Sequence, residues 1–114
     1  VGRFSRGITQ LAKDYNVCVI ALSQVNRLAE SRGGNDKGRV GLGDLRESGQ
    51  IEQDAYMVWG LYREAVYKSD SLKPNSLEVD ILKQRNGPCP ATVELYFDPS
   101  QMRFRDAYRE EDAR

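Results

Sequence analysis

The sequence predicts an α/β fold, and three observations carry that reading. An amphipathic stretch near the start leads at once into a continuous apolar run rich in β-branched residues. A second run, with three aromatic residues, follows in the middle of the chain, and an Asn-Gly dipeptide later separates two alternating segments. Helix followed by buried strand, then hairpin, is the order expected when helices cover a sheet.

In the first element, Phe4, Ile8, Leu11, Ala12 and Tyr15 recur at helical spacing, with Arg3, Arg6, Lys13 and Asp14 mostly opposite. No clear N-cap precedes them. Residues 17–22, VCVIAL, have the composition of a strand buried on both faces in a parallel sheet. Cys18, inside that run, is expected as a small buried hydrophobe. From Ser23 to Gly43 the periodicity gives way to SQVNRLAESRGGNDKGRVGLG, a long loop with five glycines and scattered cations.

Regular structure is expected to resume at DLRESGQIEQDA, residues 44–55, where Asp44, with Glu47 three places on, and Ser48 are both candidate helix caps. Residues 55–62, AYMVWGLY, favour a strand, and Trp59 is expected in the core rather than as a base-stacking platform. Leu77, Val79 and Ile81 then alternate with Glu78, Asp80 and Leu82, the period-two signal of a strand with one drier face. Asn86-Gly87 tolerates positive φ and predicts a hairpin whose second arm is ATVELYF, residues 91–97. A turn at Asp98-Pro99-Ser100 leads to the short arm MRFR. The charged end, residues 106–114, is expected to fray, leaving residues 1–105 as one unit.

Composition narrows the function. The chain has 114 residues, room for one core, and its 17 Lys+Arg balance its 17 Asp+Glu. With no net field, contact with nucleic acid has to be local. Two distant cysteines and no histidine make a zinc site improbable. No charged leader precedes an apolar stretch, and no apolar run approaches the ~20 residues a membrane helix needs, so a cytoplasmic location is expected.

Three groups of side chains are candidates for chemistry. Gln24 follows the carboxyl end of the first strand, where open α/β sheets place ligands, although a strand-end cap would look the same. Arg46 and Gly49, beside Glu47, offer a cation and an approachable backbone for phosphate, although a solvated capping turn would have this composition too. Lys83 and Arg85 alternate with Gln84 and so share a face beside a turn, suited to crossing a subunit boundary or simply to facing water. Arg27, Arg32, Lys37 and Arg39 are equally consistent with added attraction for an anion and with a solvated loop. No GxxxxGK[ST] loop is present.

ALSQVNR at 21–27, DLRESGQIEQDA at 44–55 and LKQRNGP at 82–88, in this order, resemble the DnaB-type replicative helicases. The resemblance implies a partial RecA-like (P-loop NTPase) fold, the C-terminal half of its sheet with a β-hairpin, lacking the phosphate-binding loop. It implies Gln24 as a sensor of the γ-phosphate, Arg46, Glu47 and Gly49 as contacts to single-stranded DNA, Arg85 as an arginine finger and Lys83 as a second cation, both acting on a neighbour's nucleotide. ATP and Mg²⁺ are then the cofactors of the full-length protein, with their main ligands upstream. Single-stranded DNA, identical subunits in a homohexamer, a primase and a helicase loader are the implied partners. The alternative is a non-enzymatic, helicase-like fragment that binds and modulates a helicase ring. Recombinase and clock-type ATPases of the same fold lack the DLRESGQIEQDA string.

Overall fold

In the computed structural model, which describes residues 2–24, 37–44 and 49–107, the first amphipathic stretch forms helix α1 (Gly2–Tyr15). Asn16 ends it by taking a left-handed φ of 52°, and the Val17 N–H donates to the Ala12 carbonyl at 3.1 Å. That is the six-to-one bond of a Schellman cap, with Asn serving where Gly is more usual.

Residues 17–24 correct two expectations. They form no strand, and Cys18, Ile20 and Leu22 are exposed rather than buried. A strand of a parallel sheet needs parallel neighbours for its N–H and C=O groups. Among the described residues the sheet is wholly antiparallel and offers none.

That sheet has four strands in sequence order: β1 (Met57–Tyr62), β2 (Ser76–Gln84), β3 (Ala91–Asp98) and β4 (Arg103–Asp106). Short helix α2 (Gly49–Asp54) enters β1, and helix α3 (Glu64–Tyr67) leaves it. The register pairs Leu61 with Val79 and Val79 with Val93, and Gly60 with Asp80 and Asp80 with Thr92. Paired residues share a face, so one side of the sheet is apolar and the other is polar and glycine-bearing. The alternation of residue types read at residues 77–82 is present, but the expected drier face is not: Asp80 of the polar face is buried, while Val79 and Ile81 of the apolar face are half-buried.

The core is small: Tyr62 (4% exposed), Leu77 (8%) and Phe97 (7%) are its buried apolar members among the described residues. Phe97 stacks on Phe104, ring centroids 4.6 Å apart, and the Arg63 guanidinium lies 4.8 Å from its ring centre. Trp59 is a further correction, since it is 56% exposed. It alternates with Gly60, so it lies on the apolar face with Leu61, which is 59% exposed. The apolar stripe of α1 is likewise open at Phe4, Leu11 and Tyr15.

The hairpin predicted around Asn86-Gly87 exists, but neither residue takes a positive φ. Residues 82–90 separate the last paired residues, Ile81 and Ala91, so the reversal is a wide loop without need of a two-residue primed turn. The Gln84 side-chain amide donates to the Pro88 carbonyl across it, and the Cys89 thiol donates to the Leu82 carbonyl at 3.0 Å. The turn after β3 is closed by Asp98, whose Oδ1 accepts from the Ser100 N–H at 3.0 Å and its hydroxyl at 2.6 Å.

Candidate functional site

The end of β2 carries Lys83, with Arg85 just beyond it, and a bulge in the β1–β2 pairing lies next to Lys83. Between Val58 and Trp59 strand β1 advances one residue while β2 advances two, from Lys83 to Ile81. Bulges of this kind re-aim the side chains that follow. Lys83 then stands opposite Val58 and reaches back to the end of α2, where its Nζ donates to the carbonyls of Glu52 (2.6 Å) and Gln53 (3.1 Å). These belong to the last turn of a helix, where carbonyls lack partners further along and a cation is favoured. Arg85 is exposed, and its guanidinium lies 4.0 Å over the ring of Tyr56, in the short link between α2 and β1. The ring face supports the cation without using its five N–H donors.

Helix α2 is fastened on its other side by Asp54. Its carboxylate accepts from the Ser5 hydroxyl of α1 at 2.7 Å and from the Gln50 amide at 2.9 Å. These bonds, Ser5 first, hold its pKa below the ordinary carboxylate value against the small opposing effect of burial, and Arg6 and Lys83 add attraction. The depressed pKa fixes the sign of a pH dependence. The α1–α2 junction is expected to hold fully above about pH 4, the ordinary Asp value, and to loosen only as acid reaches the lower native pKa. Amide hydrogen exchange of α1 as a function of pH tests this; loss of protection between neutrality and pH 5 is the contrary result.

The polar face of the sheet is crossed by residues 38–40. Gly38 lies against the ring of Tyr67 with φ of 81°, and a Cβ built there falls 2.1 Å from that ring, which leaves glycine as the residue that fits. Arg39 forks onto β2, donating through Nη1 to Asp80 at 2.9 Å and through Nη2 to Glu78 at 2.7 Å, with its guanidinium 4.1 Å over Tyr62. Val40 passes over Gly60, whose missing side chain makes room. Asp80 is buried and also accepts from Thr92 at 2.8 Å. Burial opposes the Arg39 charge, but the bonds to Glu78 and Asp80 outweigh it and raise the pKa above its ordinary value. Arg39 is thus neither a solvated loop residue nor a cation turned outward. Beyond it, residues 42–44 make a single turn in which Asp44 Oδ2 accepts from the Gly41 N–H at 2.7 Å.

Of the residues singled out in the sequence, Lys83 and Arg85 come together at the α2–β1 junction. Gly49 is the first residue of α2. Gln24 is exposed in the strandless segment 17–24, and its backbone carbonyl accepts from the Ser23 hydroxyl at 3.4 Å. Arg27, Arg32, Arg46, Glu47 and Ser48 lie outside the described residues. Sequence reasoning missed Ser5, Asp54 and Tyr56, which tie α1, α2 and Arg85 together; as single polar or aromatic residues they carry no spacing signal.

Known proteins resemble this chain over nearly its whole length. A family model described as the DnaB-like helicase C-terminal domain matches residues 1–106. The replicative DNA helicase DnaB of Geobacillus stearothermophilus is 46% identical over 112 residues, covering 98% of this chain and 24% of the relative. That of Haemophilus influenzae is 46% identical over 104 residues, 91% of this chain and 21% of the relative. The chain therefore spans about a quarter of the length of the curated relatives it matches. Among solved structures, an ATPase domain superposes with a TM-score of 0.86 at 43% identity, covering 94% of this chain and 36% of that one. A DnaB-like replicative helicase described together with its interactions with primase gives 0.85 at 41% identity, covering 94% of this chain and 25% of that one. These neighbours place the four-stranded sheet within a partial RecA-like fold.

Proposed function

We propose, because the chain belongs to the DnaB-like helicase C-terminal domain family, that it is the part of a ring-shaped replicative DNA helicase that grips single-stranded DNA and completes a neighbouring subunit's ATP site. The observation that carries this reading is Arg85: a guanidinium at the end of β2, exposed to solvent and supported on one face by Tyr56. A rigid fork of donors so presented fits the oxygens of a phosphate brought to it by another subunit. ATP supplies the transferred phosphoryl group, and Mg²⁺ neutralises charge on it. Within this chain Arg85, Lys83 and Gln24 are the side chains assigned to meet those phosphates. Lys83 has to release the Glu52 and Gln53 carbonyls to do so. Among the described residues no group of potential metal ligands converges, and this reading assigns the Mg²⁺ ligands and the phosphate-binding loop to the remainder of a longer protein. The same remainder is assigned the task of covering the apolar sheet face around Trp59 and Leu61.

Arg46, Glu47 and Gly49 are assigned to the DNA. A cation and a glycine backbone grip phosphate without reading bases, as a translocating motor requires. A homohexamer, a primase and a loader complete the proposed assembly; a structural relative's description couples it to primase. No helix among the described residues is long and apolar enough to cross a membrane. In the full-length protein, single-stranded DNA is expected to stimulate ATP hydrolysis. Arg46→Ala is expected to weaken that stimulation and to reduce the salt slope of DNA binding by about 0.7, the share of one phosphate. ATP hydrolysis indifferent to DNA contradicts the reading.

A further inference from the structure

We propose that Arg39 is a positioning residue for the DNA grip: it clamps the chain just before the DNA-contact segment onto β2, the strand that carries Lys83 and leads into Arg85. The inference rests on the assignment of Arg46, Glu47 and Gly49 to DNA. Its geometric basis is independent of that assignment.

The chain bonds to one strand at Arg39 and again at Glu52 and Gln53, before and after the DNA-contact positions in sequence. Upstream, Arg39 forks onto Glu78 and Asp80 of β2. Downstream, until it is released toward a nucleotide, Lys83 of the same strand holds the Glu52 and Gln53 carbonyls at the end of α2, so the Arg39 fork is the tie that stays in place throughout. Exposed ion pairs contribute little, but this one is built differently. Its two carboxylates take separate nitrogens of a single fork, Asp80 is buried and further held by Thr92, and Tyr62 supports the guanidinium plane. The residues on either side have their own seats, Gly38 on Tyr67 and Val40 over Gly60. A three-residue strap with a seat for each residue fixes where the chain emerges. Arg46 follows Val40 by six positions in the sequence, and on this proposal β2 fixes the point from which the chain runs toward it. A cation held this way has its charge satisfied in its own chain, and it acts on DNA by ordering the segment rather than by touching phosphate.

The consequence follows from population arithmetic. If freeing the strap leaves the segment correctly placed about one-tenth of the time, apparent DNA affinity falls roughly tenfold. A side chain that touches phosphate directly instead marks the salt dependence, and its removal lowers the slope by about 0.7 per phosphate.

The test uses full-length Arg39→Gln, with single-stranded oligonucleotide binding measured over a range of salt concentrations, a thermal melt, and hydrogen exchange of residues 37–44. The expected result is affinity lower by roughly tenfold at every salt concentration with an unchanged slope, and faster exchange in 40–44. The pair Glu78→Gln and Asp80→Asn is expected to reproduce the loss, and combining it with Arg39→Gln to add little. Arg39→Lys, which keeps the charge but not the fork, is expected to recover only part of the affinity and serves if the Gln variant melts early. A reduced slope, or unchanged affinity in both Arg39 variants, overturns the clamp. Arg46→Ala run in parallel separates the two readings: if it weakens binding while the Arg39 variants do not, only the clamp fails, and if it has no effect, the DNA assignment beneath the clamp fails.

Discussion

Full-length protein carrying Arg85→Ala is expected to hydrolyse ATP about 10³- to 10⁵-fold more slowly than the parent, the range typical of cations supplied across a subunit or domain boundary. The size follows from where the charge acts. During phosphoryl transfer, the bond to the leaving oxygen breaks and negative charge develops there, while the charge left on the transferred group spreads over its three equatorial oxygens; a fixed guanidinium stabilises that arrangement more than it stabilises bound nucleotide. The defect therefore belongs in kcat, with nucleotide affinity changed far less. Arg85→Lys is expected to recover only part of the rate, because an ammonium offers a point charge where the guanidinium offers a planar pair of donors. Tyr56→Leu, which removes the ring beneath Arg85 without touching its charge, is expected to give a smaller loss of the same kind. Equal kcat for parent and Arg85→Ala contradicts the assignment.

Phe97→Ala is expected to destabilise the chain by roughly 3–5 kcal/mol, the usual cost of emptying a buried aromatic site. Little else is available to compensate. Tyr62 and Leu77 are the other buried apolar side chains among the described residues, and Phe97 also supports the Phe104 ring and the Arg63 guanidinium. Whole domains rest on margins of only about 5–15 kcal/mol. For the chain studied alone, whose apolar face is open at Trp59, Leu61 and Val93, this loss is expected to abolish cooperative unfolding in urea. Phe104→Ala, at a partly exposed site, is expected to cost less. A Phe97→Ala chain that unfolds at the parent's urea midpoint contradicts this description of the core.

Much of this architecture was legible in the residues, and the parts that were not share a cause. Period-two alternation over Leu77, Val79 and Ile81 and helical spacing from Phe4 to Tyr15 are local signals, and both elements formed where the pattern lay. The apolar runs around Ile20 and Trp59 gave equally strong local signals, yet both are exposed. Burial depends on neighbours, and the described sheet brings none to those faces. Asn86-Gly87 suited a tight turn, but turn type follows from the distance between paired residues, which the dipeptide does not encode. At the candidate site, Lys83 and Arg85 were visible as cations spaced two apart on a strand. Their separate anchors, the end of α2 for one and Tyr56 for the other, depend on a bulge and a helix packing that no local spacing reveals. Arg39 is the clearest instance. One cation among several in a glycine-rich stretch, it becomes distinctive only when β2 folds back and presents Glu78 and Asp80 to it.

Subunit complementation tests the central claim, that Arg85 acts on the ATP of an adjacent subunit. Rings are assembled from two inactive proteins, one carrying Arg85→Ala and the other a disabled phosphate-binding loop, and their ATP hydrolysis is measured as the ratio is varied. Activity that returns on mixing, and is greatest near equal amounts, is the predicted result, since an intact loop then meets an intact arginine at one of the two kinds of mixed boundary in a head-to-tail ring. Mixtures as inactive as either protein alone would show that the arginine serves its own subunit or none.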